Sequence, residues 1–420
     1  MTALRTRMLT QYGRSTLLIS IAEGLLAAAF MGIEPLLIVL YVLRLGYGPE
    51  FVGILSASGA LTFSLFSLVG AALGRRFGVR TMMIAGAATN VLGMSLIPFT
   101  EAVPATAQSW WLLLGRILSG AGWSMLMVNE VPALASYATA ANRPRAYALR
   151  QSTSGLGALL GTLGGSILPS VFSQLLGRTT DDPAPYRYGL STCILIGIVG
   201  LIPLTRLGRP ERTKAEALSR SALETPPQSA SRPALPALAG LMLCAFLSHA
   251  ALASGKVFYS AYMDQGLGLA TSLIGFITSA GMLLAIVGAL SGARIAADRS
   301  SGGVMLLASL GLSCSLLLLA SGHWLPASLG VIGIAALPAI WMPAYQTLQM
   351  EITPASGRMF VAGLCSMAMS LGFGTISLGG GYVVSAAGYP WLFVVGGSAA
   401  LLSVALMWGL LRLRTFVTLD

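Results

Sequence analysis

Twelve apolar runs, each long enough to cross a bilayer as a helix, limit this 420-residue chain to one class of architecture. They read at 17–43, 51–73, 81–100, 110–136, 149–173, 188–206, 236–262, 271–293, 303–321, 327–351, 359–386 and 391–411, numbered here as spans 1 to 12. About 20 residues of helix suffice for the hydrocarbon thickness. A backbone in lipid must satisfy its own polar groups, which leaves helices as the spanning form for runs of this length. Hydrophobic residues make up 55% of the chain and charged residues 9%, with a mean hydropathy of +0.79. That balance is far from a soluble domain's, so the expectation is an all-α polytopic membrane protein.

The net charge of +11 invites a nucleic-acid reading until the cations are placed. With the N-terminus inside, all but five of the 25 Lys and Arg fall in cytoplasmic segments; Arg44, Arg178 and Arg187 lie outside, and Arg116 and Lys256 lie within spans. This asymmetry is the positive-inside rule. It predicts cytoplasmic termini and a multi-pass protein of the plasma (inner) membrane, with lipid rather than nucleic acid as its surroundings. Trp110, Trp111, Trp324 and Trp391 fall at predicted outer ends, where indoles settle at the interface. The first run could start a signal peptide, with Ala27, Ala28 and Ala29 near a cleavage site, but it continues to Leu43 and reads as a retained helix. Cys193, Cys244, Cys314 and Cys365 sit singly in four spans, which suggests neither a disulfide framework nor a metal site.

The chain divides near its middle. From Gly208 to Pro236 it is polar and holds five prolines, which predicts a flexible cytoplasmic linker (208–236) between two six-helix halves, 1–207 and 237–420. A repeat supports related halves: Leu156-Gly157 and Leu163-Gly164-Gly165 in span 5 recur as Leu371-Gly372 and Leu378-Gly379-Gly380 in span 11, offset by 215. Small-residue packing would also use these glycines.

Two loops at matching places in the halves add a family signal. Residues 70–80 read Gly70-Ala-Ala-Leu-Gly-Arg75-Arg76-Phe-Gly78-Val-Arg80, and 292–302 read Gly-Ala-Arg-Ile-Ala-Ala-Asp298-Arg299-Ser-Ser-Gly. Both resemble the G-x-L-a-D-R-x-G-R-K loop of the major facilitator superfamily. Arg116-Ile-Leu-Ser-Gly120 in span 4 is similar to that family's R-x-x-x-G element. In the first loop Arg75 stands where the family has Asp and Ala71 at the leading Gly; the second keeps Asp298-Arg299 but has Arg294 at that Gly. The resemblance implies two six-helix bundles and a monomeric secondary transporter without a cofactor, carrying a small-molecule substrate near the bilayer midplane by alternating access. It also implies a gating role for the loop residues, though topology alone would explain their arginines.

Span 1 carries two carboxylates, Glu23 and Glu34, and a charge in hydrocarbon costs about 2.5–3.5 kcal/mol even on the lenient insertion scale. Eleven residues of regular helix put them on one face about 16 Å apart. Depth at 1.5 Å per residue places Glu34 level with Arg116, and Glu23 level with Glu130, also in span 4. Spans 1 and 4 line the central cavity in the family. The expected mechanism has Glu34, or else Glu23, taking and releasing a proton: the protonated form is favoured when the cavity is dry, the ionised form when Arg116 or water approaches. The alternative is that these charges pair only to hold helices together.

Span 7 offers His249, Lys256, Tyr259 and Tyr262. His249 and Lys256, seven apart, share a face with Tyr259 one turn further on. A cation with aromatic rings suits an anionic or zwitterionic solute; a packed histidine and a snorkelling lysine are the plainer reading. Trp341, Tyr345 and Gln346 in span 10 are further substrate candidates. Gly157, Gly161 and Gly165 resemble the glycine-rich motif of drug/proton antiporters, with Thr162 where the family has proline. This favours proton-coupled export over uptake of an organic anion or sugar by symport, and the substrate itself stays unnamed. The chain lacks a Walker A loop, an HExxH pair and a GxSxG elbow, so neither an ATP motor nor a hydrolytic enzyme is expected.

Overall fold

The computed structural model describes residues 13–139, 142–208, 235–298, 300–351, 353 and 358–412, without the side chains of 235–236, 289–298 and 358–360. Twelve helices are long and apolar enough to cross a membrane, and no strand occurs among the described residues. They run Arg14–Arg44, Pro49–Phe77, Val79–Ala102, Ala105–Tyr137, Arg143–Leu176, Ala184–Thr205, Ala237–Gly266, Thr271–Gly288, Ser301–Leu319, Trp324–Glu351, Val361–Ala387 and Tyr389–Arg412. The twelve expected spans are all present. Most of the predicted linker lies outside the described residues.

Span 1 is not one regular helix. Its α-helical parts, Arg14–Ala27 and Glu34–Arg44, are joined by π-helical turns over Ala28–Ile33. The physical cause stands just beyond: Pro35 has no N–H to give the carbonyl of Met31, and its ring crowds that turn. Wider i→i+5 turns take up the mismatch. The regular winding assumed in placing Glu23 and Glu34 on one face is thus interrupted between them. Span 10 is interrupted similarly, ending one helix at Ala336 and starting another at Pro338, which cannot donate to Ile334.

The contacts fall into two compact units, one of residues 1–44 and 62–224, the other of 45–61 and 225–420. The first has a core around Leu26, Ala27, Met83, Ala87, Trp123 and Leu134. Its spans 3 and 4 approach backbone to backbone, because Gly86, Gly93, Gly115 and Gly122 leave no room for a Cβ between them. Asn90 Nδ2 ties the contact by donating to the Ser119 carbonyl at 2.9 Å. The second unit packs around Leu241, Cys244, Trp341, Tyr345 and Met407. The first part of span 2, to Leu61, belongs to this second unit, where a Cβ on Gly53 would strike the Ser377 carbonyl and one on Gly381 would strike Pro49 and Glu50.

The repeated glycines do equivalent work in each unit. Gly157 of span 5 presses on the Gly24 carbonyl of span 1, and its repeat partner Gly372 of span 11 presses on the Phe246 carbonyl of span 7. One repeat further, Gly165 meets Ile33 and Gly380 meets Phe258. Matching positions thus dock matching helices.

Candidate proton and substrate sites

Among its described residues, unit 1 holds two buried clusters of charge. In the first, Arg116 Nη1 donates to Glu34 Oε1 at 2.9 Å, with the carboxylate 1% exposed and the guanidinium side chain 20% exposed. Arg116 also lies over the Phe30 ring, 5.5 Å from its centroid, and Phe30 packs on Trp123 at 4.9 Å. The aromatic pair forms an apolar wall beside the ion pair, and the π face adds attraction for the cation. Glu34 Oε2 is buried with no hydrogen-bond partner. A buried carboxylate using only one oxygen has a vacant position at which a proton can bind.

The second cluster joins spans 1, 4 and 5. Ser154 Oγ donates to Glu23 Oε1 at 2.8 Å, and Arg150 Nη1 donates to Glu130 Oε2 at 2.7 Å while standing 3.7 Å from Glu23 Oε1. The level shared by Glu23 and Glu130 is thus occupied by a cation that the reading of the sequence assigned to the cytoplasm. Span 5 starts at Arg143, six residues before the hydropathy run, so Arg150 enters two turns down the helix with its side chain 16% exposed. An arginine spaced four residues before Ser154, on the helix whose glycines face span 1, was the available clue. Glu23 and Glu34 thus have different partners, about three turns apart along span 1.

The candidates in unit 2 separate into packed and open ones. His249 meets Trp341 edge to face at 5.4 Å, Trp341 stacks on Tyr345 at 4.7 Å, and Trp341 Nε1 donates to Ser309 Oγ at 3.1 Å. Trp341 and Tyr345 are buried in the core with Cys244 and Cys365, so they shape the wall and offer little open surface. Lys256 and Gln346 are exposed. No carboxylate lies within ion-pair distance of Lys256 among the described residues. Tyr259, one turn on, is half-buried.

With this geometry in view, the family comparison is decisive: the model of the Major Facilitator Superfamily matches residues 17–299 and 241–418. The chain belongs to the major facilitator superfamily. It is a multi-pass membrane protein with a transporter fold and is not an enzyme. The inward-open xylose transporter XylE from E. coli is similar over 94% of this chain and 95% of that one, with 15% identity and a TM-score of 0.72. A mutant of the nucleoside transporter NupG matches over 94% and 99%, with 11% identity and a TM-score of 0.71. A peptide transporter POT in complex with sulfate matches over 96% and 95%, with 14% identity and a TM-score of 0.73. No curated protein sequence matches the chain.

In this superfamily member the expected loop at 70–80 is mostly helix: residues up to Phe77 continue span 2 and only Gly78 separates it from span 3. Asn129 Nδ2 of span 4 donates to the Gly70 carbonyl at 3.0 Å, and a Cβ on Gly74 would overlap the Asn129 amide. Gly78 turns the chain at φ +91°, a conformation that favours glycine. Arg75 and Arg76 are exposed, and Arg80 Nη2 donates to the Thr205 carbonyl at 3.1 Å, fastening the start of span 3 to the end of span 6. Arg299 lies outside the described residues; Asp298 closes its helix, and its side chain lies outside them too.

Proposed function

We propose that this chain is a proton-coupled exporter of a small organic molecule, acting as a monomer in the plasma membrane with both termini in the cytoplasm, and closest in kind to drug/proton antiporters. Glu34 is the first proton carrier, Arg116 its movable cation, and Glu23 with Glu130 the supporting acidic pair. The observation that carries this reading is the 2.9 Å pair between buried Glu34 and half-open Arg116, with Glu34 Oε2 left without a partner. Removing a proton from Glu34 strengthens the pair, and adding one frees Arg116. Coupling follows if substrate and proton stabilise different conformations of the transporter, since linkage between sites is reciprocal. The glycine ridge of span 5 supports export through its likeness to the antiporter motif.

Lys256 favours a second reading: uptake of an organic anion or sugar by proton symport, with Lys256 and Arg116 as substrate ligands and His249, Tyr259, Trp341, Tyr345 and Gln346 as further candidates. An exposed cation lacking a carboxylate partner among the described residues suits an anion.

Vesicles loaded with a pH-sensitive dye separate the two. A panel of lipophilic cations, organic anions and sugars is added to purified protein in liposomes, and proton movement is followed for each. Export by antiport moves protons opposite to the solute; symport moves them with it. Glu34→Gln, folded by thermal melt, should lose proton movement; unchanged flux in that variant overturns the assignment of Glu34.

A further inference from the structure

We infer that Glu23 and Glu130 hold one proton between them over Arg150, as a second proton site set apart from Glu34. Its use in transport rests on the function proposed above; the binding itself does not. Glu130 and Arg116 are 14 residues apart on the same span, about 21 Å along the helix axis, so the two sites are separate.

The count of charge argues for the proton. Two carboxylates, 2% and 1% exposed, face one guanidinium. With all three ionised the cluster carries an excess negative charge in a water-poor interior, where a lone charge is expensive. Arg150 commits its short contact, 2.7 Å, to Glu130 and reaches Glu23 only at 3.7 Å. Glu23 receives one hydrogen bond, from Ser154 on Oε1, and its Oε2 is buried with no partner. A proton on Glu23 Oε2 neutralises the excess and leaves Arg150 paired with the one ionised carboxylate. Because Nη1 lies between the two acids, a small swing of Arg150 exchanges which of them is ionised, as in other carboxylate pairs that titrate as a unit.

Among the described residues of the surrounding helices, nothing else supplies the missing charge. On span 5, Arg150 Nη2 donates to Gln151 at 3.1 Å, and Arg145 is exposed five residues earlier, beyond Ala146. Arg143 is a further half turn away, at the first residue of the helix. On span 1, Arg14 is exposed at the helix start, nine residues before Glu23. On span 3, Arg80 is bonded to Thr205, and on span 6, Arg187 is paired with Glu101 at 2.8 Å while Arg206 is exposed.

Infrared difference spectra of the purified protein in H2O and D2O read the proton directly, through the carbonyl stretch of a protonated carboxylic acid. A Glu34→Gln background removes the other site. At neutral pH this variant should keep one acid carbonyl band from the cluster. Adding Glu23→Gln should abolish it, and adding Glu130→Gln should abolish it too, because the remaining acid then has Arg150 to itself. Adding Arg150→Gln should roughly double the band. A band that is unchanged by both Glu23→Gln and Glu130→Gln, or absent from the Glu34→Gln background, overturns the inference. Should Arg150→Gln fail to fold by size exclusion, the two glutamine variants decide alone. The spectra need no substrate or gradient, so a failure of the transport reading leaves this result standing, and the reverse.

Discussion

Thr162 Oγ1 donates to the Gly32 carbonyl at 3.2 Å and to the Ala158 carbonyl at 2.9 Å, so one hydroxyl serves both its own helix and the π-helical part of span 1. Turns of this kind leave carbonyls poorly served by their own helix, and a polar group in lipid needs a partner. Thr162 stands where drug antiporters carry proline, which has no hydroxyl to give. Thr162→Val keeps the shape and removes the donor. It should cost about 1 kcal/mol, the usual worth of such a bond, seen as a lower thermal midpoint in detergent. An unchanged midpoint would mean that Gly32 is satisfied without it.

The glycines of span 5 are not equivalent. A Cβ on Gly161 would overlap the Ala28 carbonyl, and one on Gly157 the Gly24 carbonyl, whereas Gly155 and Gly164 have open space. Gly161→Ala and Gly157→Ala should therefore each destabilise by about 1–3 kcal/mol through overpacking. Gly155→Ala and Gly164→Ala should be neutral or stabilising by up to about 1 kcal/mol, since alanine is the better helix former. Thermal midpoints of the four variants test the contrast; equal effects would refute the contact geometry.

Arg116→Ala leaves Glu34 buried without its cation. Breaking a buried pair from one side costs about 3–5 kcal/mol. The double variant Arg116→Ala with Glu34→Gln removes the stranded charge and should recover much of that loss. Denaturation of the single and double variants measures the coupling, and additive losses would argue against a direct pair.

Outside the membrane, Asp182 gives a pH signature. The Ala184 backbone N–H at 2.9 Å and Arg178 Nη1 at 2.8 Å hold its carboxyl below the ordinary aspartate range. The folded value is lower than the unfolded one, so the stabilisation is present above the unfolded value and is lost as pH falls through the folded one. Asp182→Asn, which can still accept from Ala184, should lose this dependence. The difference in midpoint between wild type and variant should shrink below about pH 4, where free aspartate titrates. For so exposed a group it should stay under about 1 kcal/mol at neutral pH.

Hydropathy and the distribution of basic residues made the twelve spans legible, and depth arithmetic put Glu34 level with Arg116 before any contact was known. Both succeed because bilayer thickness and helix rise fix the same ruler. The ruler fails where winding changes. Apolar content is the same in an α and a π turn, so the Ala28–Ile33 segment was invisible apart from Pro35. Arg150 was missed for a related reason: hydropathy placed the start of span 5 at 149, and an arginine at the edge of an apolar run reads as topology until its helix is seen to begin at Arg143. In span 10, Trp341 and Tyr345 were candidates by side-chain type. Their burial against Cys244 and Cys365 depended on helices far apart in sequence.

The π-helical segment makes span 1 a torsional joint. In a regular helix each residue advances about 100° around the axis and in the wider π turns less, so winding the six residues from Ala28 to Ile33 back to α geometry would turn the half bearing Glu34 against the half bearing Glu23. The azimuth between the two acids is set by whatever clamps that segment, namely Thr162 and the bare backbone of Gly161. A side chain on the neighbouring helix, with no charge of its own, thereby fixes the bearing of both.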